Sequence, residues 1–158
     1  MRRTDREVTD KLEMVKIIEK CDVCRVAFAK DNIPYLVPLN FGYEYRDGEL
    51  ALYFHCAQEG KKMDLIKDNP LVAFEMDCSH QLLENEIACK CSMAFESVIG
   101  TGRIVILNAE QKEAGLRCIM KHYVEDRDFI FEQEKVDAIE VLKLTAAEFT
   151  GKRKIVPR

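Results

Sequence analysis

The sequence predicts a mainly β protein, a six-stranded antiparallel barrel with flanking helices, and three observations carry that reading. Apolar spacing gives the element order αβββαβ, a long connection, then βαβ, in which no βαβ unit repeats, so a doubly wound parallel sheet is disfavoured. The run from Tyr35 to Tyr45 alternates with period two, and the Asp47-Gly48 pair after it is a strong short hairpin signal. Gly100 and Gly102 interrupt one long strand, as a bulged barrel strand would require.

Each element has its own signal. Leu12, Val15 and Ile18 recur at three-residue steps after Asp10, with Glu13 placed as in a capping box, so residues 10–20 read as a helix. Val23 to Ala29 is short, apolar and partly β-branched, and Asp31-Asn32 supplies turn chemistry after it. From Tyr35 to Tyr45 the odd positions are Tyr35, Val37, Leu39, Phe41, Tyr43 and Tyr45, which predicts one continuous strand. Pro38 lacks a donor, so its position must face a bulge, an unpaired edge or a ligand. Glu49 to His55 returns as the next strand.

Met63, Leu65 and Ile66 give a helix over 59–67 that Asn69 and Pro70 stop, and Leu71 to Met76 is a strand. Residues 78–93 read as a polar, cysteine-bearing loop, longer than most connections in a compact domain. Phe95 to Leu107 is the glycine-broken strand. Residues 109–124 form a helix with Leu116, Ile119, Met120 and Tyr123 on one side, and Ala138 to Phe149 is the closing strand.

Composition narrows the function. With 158 residues, 47% hydrophobic and 33% charged, residues 1–158 are expected to form a single domain with its own apolar core. A formal charge of −4 without a basic stripe argues against nucleic acid as a partner. No apolar run approaches the roughly 20 residues that span a bilayer, and the charged N-terminus lacks an apolar leader segment, so no membrane partner and a cytoplasmic location are expected. The cysteine count of 7 is odd and several lie in apolar segments, which suggests reduced thiols packed as small hydrophobes.

The segment His55-Cys56-Ala57-Gln58-Glu59-Gly60-Lys61-Lys62 links a strand end to a helix start. A helix N-terminus offers free N–H groups and partial positive charge, which suits a phosphate. Lys61 and Lys62 sit where cations oppose the helix dipole at about 0.3–1 kcal/mol each, a penalty that a bound anion would reverse. Two solvated surface lysines are the bland alternative. Asn40, two residues beyond Pro38, either bonds a planar heterocycle with amide-like edges or faces solvent. Cys21 and Cys24, with Cys89 and Cys91, allow a four-thiol zinc site, against which the missing two-residue spacer in the second pair counts. Cys78 and His80 add a redox or metal option of similar weakness. His122 belongs to a helix face, and His55 alone among the histidines adjoins a candidate site. Ser/His/Asp spacing, paired carboxylates and a P-loop are absent from the sequence.

Taken together, Pro34 to Tyr43, Tyr53 to Ala57 with Gly60-Lys61-Lys62, Ser97 to Gly100 with Gly102, and the closing Glu148 to Arg153 resemble the pyridoxamine 5′-phosphate oxidase-like FMN-binding split barrels, within them most closely the 5-nitroimidazole reductases. The resemblance implies a six-stranded split barrel, a homodimer, and FMN in clefts between protomers. It assigns Val37, Pro38, Leu39, Asn40 and Phe41 to the flavin ring, and His55, Cys56, Ala57, Lys61 and Lys62 to the phosphate and its approaches. Ser97, Val98 and Ile99 would come from the second protomer, and His55 would act catalytically beside the flavin. Two departures stand out: Cys56 where many relatives have serine, and Phe95 where they often have tyrosine. The Arg and His pattern of true pyridoxamine phosphate oxidases is not recognisable near the C-terminus. The expected function is therefore FMN-dependent reduction of small electron-poor molecules such as nitroimidazoles. A flavin- or haem-binding module without turnover, or a thiol-metal protein, is the alternative.

Overall fold

A computed structural model describes residues 3–124 and 127–156. Its elements are β1 (Glu7–Val8), α1 (Lys11–Lys20), β2 (Cys24–Lys30), β3 (Ile33–Leu39), β4 (Gly42–Arg46), β5 (Glu49–Ala57), α2 (Lys61–Asp68), β6 (Leu71–Leu83), β7 (Ser92–Ile106), α3 (Ala109–Tyr123), α4 (Gln133–Asp137) and β8 (Ile139–Lys154). The strands form one antiparallel sheet in the order β3-β2-β6-β7-β8-β5-β4, with β1 on the far end of β8. β3 and β4 are consecutive in the chain yet lie at opposite ends of that order. The sheet curls into a barrel whose seam between them is not hydrogen-bonded: a split antiparallel barrel, as expected.

The strand count is eight rather than six, for two reasons. β1 is a short addition, and Tyr35 to Tyr45 is two strands, interrupted at Asn40-Phe41. The odd-numbered side chains keep facing the interior across the break: Tyr35, Val37, Leu39, Tyr43 and Tyr45 pack on the core and Phe41 is fully buried in it. Alternation reports which face is buried and is blind to a change of hydrogen-bonding partner.

The predicted loop over 78–93 is largely hairpin. β6 and β7 continue pairing through Gln81↔Ala94, Leu82↔Met93 and Leu83↔Ser92 beyond a register shift between Cys78 and Gln81. Ser79 is left-handed there (φ 57°), and His80 lies within the strand, 2.8 Å from Asp77. That arm is exposed on both faces, so no burial pattern marks it as strand. The expected bulge near Gly100 and Gly102 is present as a register shift between Thr101 and Gly102.

The helices follow their signals. Asp10 caps α1, accepting from the Leu12 amide at 2.8 Å, while Glu13 turns instead to Lys16 and Arg153. Asn108 caps α3 by accepting from the Gln111 amide at 3.1 Å. Inside the barrel lie Phe28, Phe41, Phe54 and Phe74 with Leu52, Leu142 and Leu144. A second cluster, Tyr53, Leu107, Leu116, Ile119, Val136 and Val141, seals α3 and α4 onto the outer face of β5 and β8. Among the described residues no helix is long and apolar enough to cross a membrane.

Candidate functional site

The seam of the barrel is crossed twice, and the crossings frame the sequence-predicted site. The first is Asn40-Phe41, between β3 and β4. Its Phe41 amide donates to the Tyr123 hydroxyl at 3.0 Å, and the Asn40 amide nitrogen bonds the same oxygen and the Asp22 carbonyl at 3.3 Å each. Tyr123 in turn donates to the Asp22 carbonyl at 2.7 Å. The neighbouring His122 donates from Nε2 to the Cys21 carbonyl at 2.8 Å, which places the proton on that nitrogen, and its ring stacks on Phe41 at 4.4 Å. At Gly42 an added Cβ would strike the Cys118 carbonyl and the Ile119 amide, so β4 lies flush against α3 because residue 42 has no side chain.

The second crossing, β5 to α2, is the opposite in character. Along β5, Leu50, Leu52, Phe54 and Cys56 belong to the barrel interior, whereas Ala51 and Tyr53 belong to the outer cluster, so His55 lies on the outer face and Cys56 on the inner. A ligand can meet both only around the strand's end, at Ala57. Gly60 begins α2 at φ 126°, a conformation open to glycine, and an added Cβ there would meet nothing within 4 Å. No side chain caps this helix. Lys61 carries its ammonium over the Tyr35 ring at 4.4 Å and so ties α2 to β3. Burial pushes the Cys56 thiol pKa up, a shift that Lys62 opposes and Glu140 assists. Glu140 pairs with the buried Lys112 at 3.1 Å.

The sequence-predicted residues thus fall into three groups. His55, Cys56, Ala57, Lys61 and Lys62 come together at the end of β5 and the start of α2, opposite Tyr35 on the edge strand β3. On β3, Val37 and Leu39 face inward and half-buried, Pro38 is exposed on a strand with one unpaired edge, and the Phe41 side chain belongs to the core. Ser97, Val98 and Ile99 are elsewhere. Cys56 pairs with Glu140 and Ile99 with Thr150, ten residues further along β8, about 30 Å of extended strand within one chain.

Among the described residues no three His, Cys, Asp or Glu side chains group as a metal site. Cys21 and Cys24 are buried while Cys89 and Cys91 are exposed beyond the hairpin arm, so the four-thiol set does not assemble. Sequence reasoning also missed the His122-Tyr123 clamp. Its only trace was two aromatic residues in the last turn of a helix, and the partners they hold lie about 80 and 100 residues away.

The family model for pyridoxamine 5′-phosphate oxidase matches residues 10–153. The chain belongs to the pyridoxamine 5′-phosphate oxidase family. A candidate 5-nitroimidazole antibiotic resistance protein from Bacteroides thetaiotaomicron is 32% identical, covers 92% of this chain and 85% of its own, and superposes with a TM-score of 0.80. A flavocytochrome from Azotobacter vinelandii superposes at 0.81 with 19% identity over 99% of this chain and 73% of its own. An FAD- and haem-binding protein from Mycobacterium smegmatis gives 0.83 at 15% identity, over 96% and 74% of the two chains. At those identities the latter two share the fold. No curated protein sequence matches at a significant level.

Proposed function

We propose that this family member is a homodimeric, FMN-dependent oxidoreductase that reduces small electron-poor molecules, nitroimidazoles among them. The observation that carries the reading is the uncapped start of α2, with Gly60, Lys61 and Lys62 open at the end of β5 and facing β3 across the seam. These residues fit a phosphate: the first amides of α2 lack a side-chain cap, the space at Gly60 is free, and Lys61 and Lys62 stand in the first turn. FMN, when bound, supplies the electron transfer; the protein supplies binding, orientation and electrostatics.

In this reading Lys62, with Lys61 and the first amides of α2, neutralises the phosphate. The free edge of β3 from Val37 to Leu39, with Asn40 and the Phe41 backbone, borders the ring, and Pro38 withholds one donor from it. His55, exposed on the outer face at the strand's end, positions the acceptor and donates a proton to it. Ile99 pairs ten residues along β8 from the partner of Cys56, so this strand would have to reach the turn from a second chain, offering the exposed Ile99 side chain while Val98 and Ser97 stay buried in their own barrel. Support for such a pairing comes from the outer sheet face, where Leu36, Leu71 and Ile99 are 59%, 58% and 54% exposed. The 32% identity to a candidate nitroimidazole resistance protein favours nitro compounds as acceptors.

The test is anaerobic turnover of a nitroimidazole by FMN-loaded protein with a chemical reductant, monitored by loss of the nitro absorbance. Multiple turnovers per flavin support the assignment. A yellow protein that fails to reduce any nitro acceptor is instead a flavin-carrying module.

A further inference from the structure

All 7 cysteines are free thiols in the structure, and two of them converge on one atom. The Cys21 sulfur donates to the Ile17 carbonyl oxygen at 3.2 Å, and the Cys78 sulfur donates to the same oxygen at 3.9 Å. One comes from the residue that ends α1, the other from the position on β6 where the register begins to slip. The other thiols have different neighbours. Cys56 contacts the Met63 sulfur at 3.6 Å, Cys118 donates to the Tyr43 carbonyl and Cys91 to the Asn85 carbonyl, both at 3.3 Å, and Cys24 is fully buried on the inner face of β2.

We propose that Cys21 and Cys78 are an oxidation site, a dithiol that a hydroperoxide converts into a disulfide joining α1 to β6. The two thiols differ in access. Cys21 is 1% exposed, whereas Cys78 is half-buried, so Cys78 meets the oxidant first. Beside it Ser79, left-handed in its backbone, donates its hydroxyl to the Cys78 sulfur at 3.6 Å and lines a cavity of about 550 Å³. That cavity is lined by Ser79, His80, Lys20, Glu96 and Arg153 among others. Glu96 is held there by Lys20 at 2.6 Å, Ser79 at 2.9 Å and Arg153 at 2.5 Å. Burial alone would raise its pKa; these three hydrogen bonds outweigh burial and keep it ionised. The half-buried Cys78 thus has as its chain neighbour a residue of this polar cavity, whereas Cys21 is buried.

The chemistry closes without a further reagent. The Cys78 thiolate attacks one oxygen of hydrogen peroxide, the O–O bond breaks, and sulfenic acid and water result once the thiol proton is counted. The Cys21 sulfur then attacks the sulfenic sulfur, the S–S bond forms, and the hydroxyl leaves as a second water with the Cys21 proton. Two thiols lose two electrons and the peroxide gains them. Burial pushes the Cys21 thiol pKa up, and Cys78 beside it adds to the shift, so Cys21 is poorly suited to be the thiol that meets the peroxide first. Cys21 lies just past the helix and Cys78 at the edge of a bulge, so neither sulfur is held in the middle of a regular element as the pair closes to bonding distance.

The experiment exposes the reduced full chain to hydrogen peroxide, quenches with acid, alkylates the remaining thiols after unfolding, and maps peptides without reductant. The expected product is a linked pair of peptides carrying Cys21 and Cys78, abolished by dithiothreitol, with Cys24, Cys56 and Cys118 alkylated throughout. Cys21 recovered as a free thiol overturns the proposal, as does linkage of Cys21 or Cys78 to any other cysteine, or Cys78 driven to sulfinic acid beside a reduced Cys21. A Cys78→Ser variant, shown to be folded by circular dichroism, should keep Cys21 reduced under the same treatment; an oxidised Cys21 there contradicts the pairing.

Discussion

The chain crosses its open seam twice, and the two crossings are built in opposite ways. At Asn40-Phe41 the backbone amide, the Asn40 amide nitrogen and the flanking carbonyls are held by Tyr123 and His122, with Gly42 letting α3 seat directly on β4. At the β5–α2 turn the helix lacks a side-chain cap, His55 and Ala57 are exposed, and Gly60 opens onto free space. One crossing is complete within the chain. The other, an uncapped helix start carrying two lysines, is where the proposed phosphate would sit.

Four variants break or sharpen this contrast. The largest effect should come from His55→Ala at the open crossing. If His55 donates a proton to the acceptor, steady-state turnover falls by about 100-fold or more while FMN stays bound. Unchanged turnover removes His55 from the chemistry. Next is Gly42→Ala at the closed crossing, where the new methyl group meets backbone rather than a flexible side chain end. Overpacking of this kind costs about 3 kcal/mol, and a thermal melt should fall by roughly 6–12 °C. An unshifted melt would mean that α3 does not seat as tightly on β4 as the contrast requires.

Lys62→Ala comes third. Removing one charge-assisted contact costs about 1.5–3 kcal/mol, which weakens FMN affinity roughly 10- to 150-fold in a fluorescence titration, with the melt of the flavin-free protein unmoved. A destabilised chain with unaltered affinity would make this turn structural, like the first crossing. The smallest is Tyr123→Phe. It leaves the ring in place but deprives the Phe41 amide and the Asp22 carbonyl of their shared hydroxyl, at about 1–2 kcal/mol in a denaturant titration. A neutral result would assign the clamp to His122 and Gly42.

The two crossings also differ in how far the sequence revealed them. The open one was legible because its elements are local: a strand end, a glycine and two lysines within eight residues, where chemistry and spacing coincide. The closed one was not. Period-two alternation runs unbroken from Tyr35 to Tyr45, since the interior face is the same on both sides of the break, and the groups that hold it lie on α3 and beside α1. The hairpin arm past Cys78 was hidden for a related reason, because a two-stranded ribbon exposed on both faces carries no burial pattern. The bulge at Gly102 was readable, since glycine in a long strand signals a backbone irregularity directly. As for the candidate site, local chemistry pointed to Lys61 and Lys62, and family resemblance to Cys56 and Ala57. The opposite facing of His55 and Cys56 follows from strand alternation once β5 is placed.

The central claim is that the α2 start is a phosphate site for a flavin. The most direct measurement is the absorbance spectrum of the full-length protein purified from cells and supplemented with FMN, followed by mass analysis of the chromophore released on unfolding. The account predicts a yellow protein with flavin bands near one FMN per chain. A colourless protein that retains no FMN after desalting, at a concentration where its fold is intact, would contradict it.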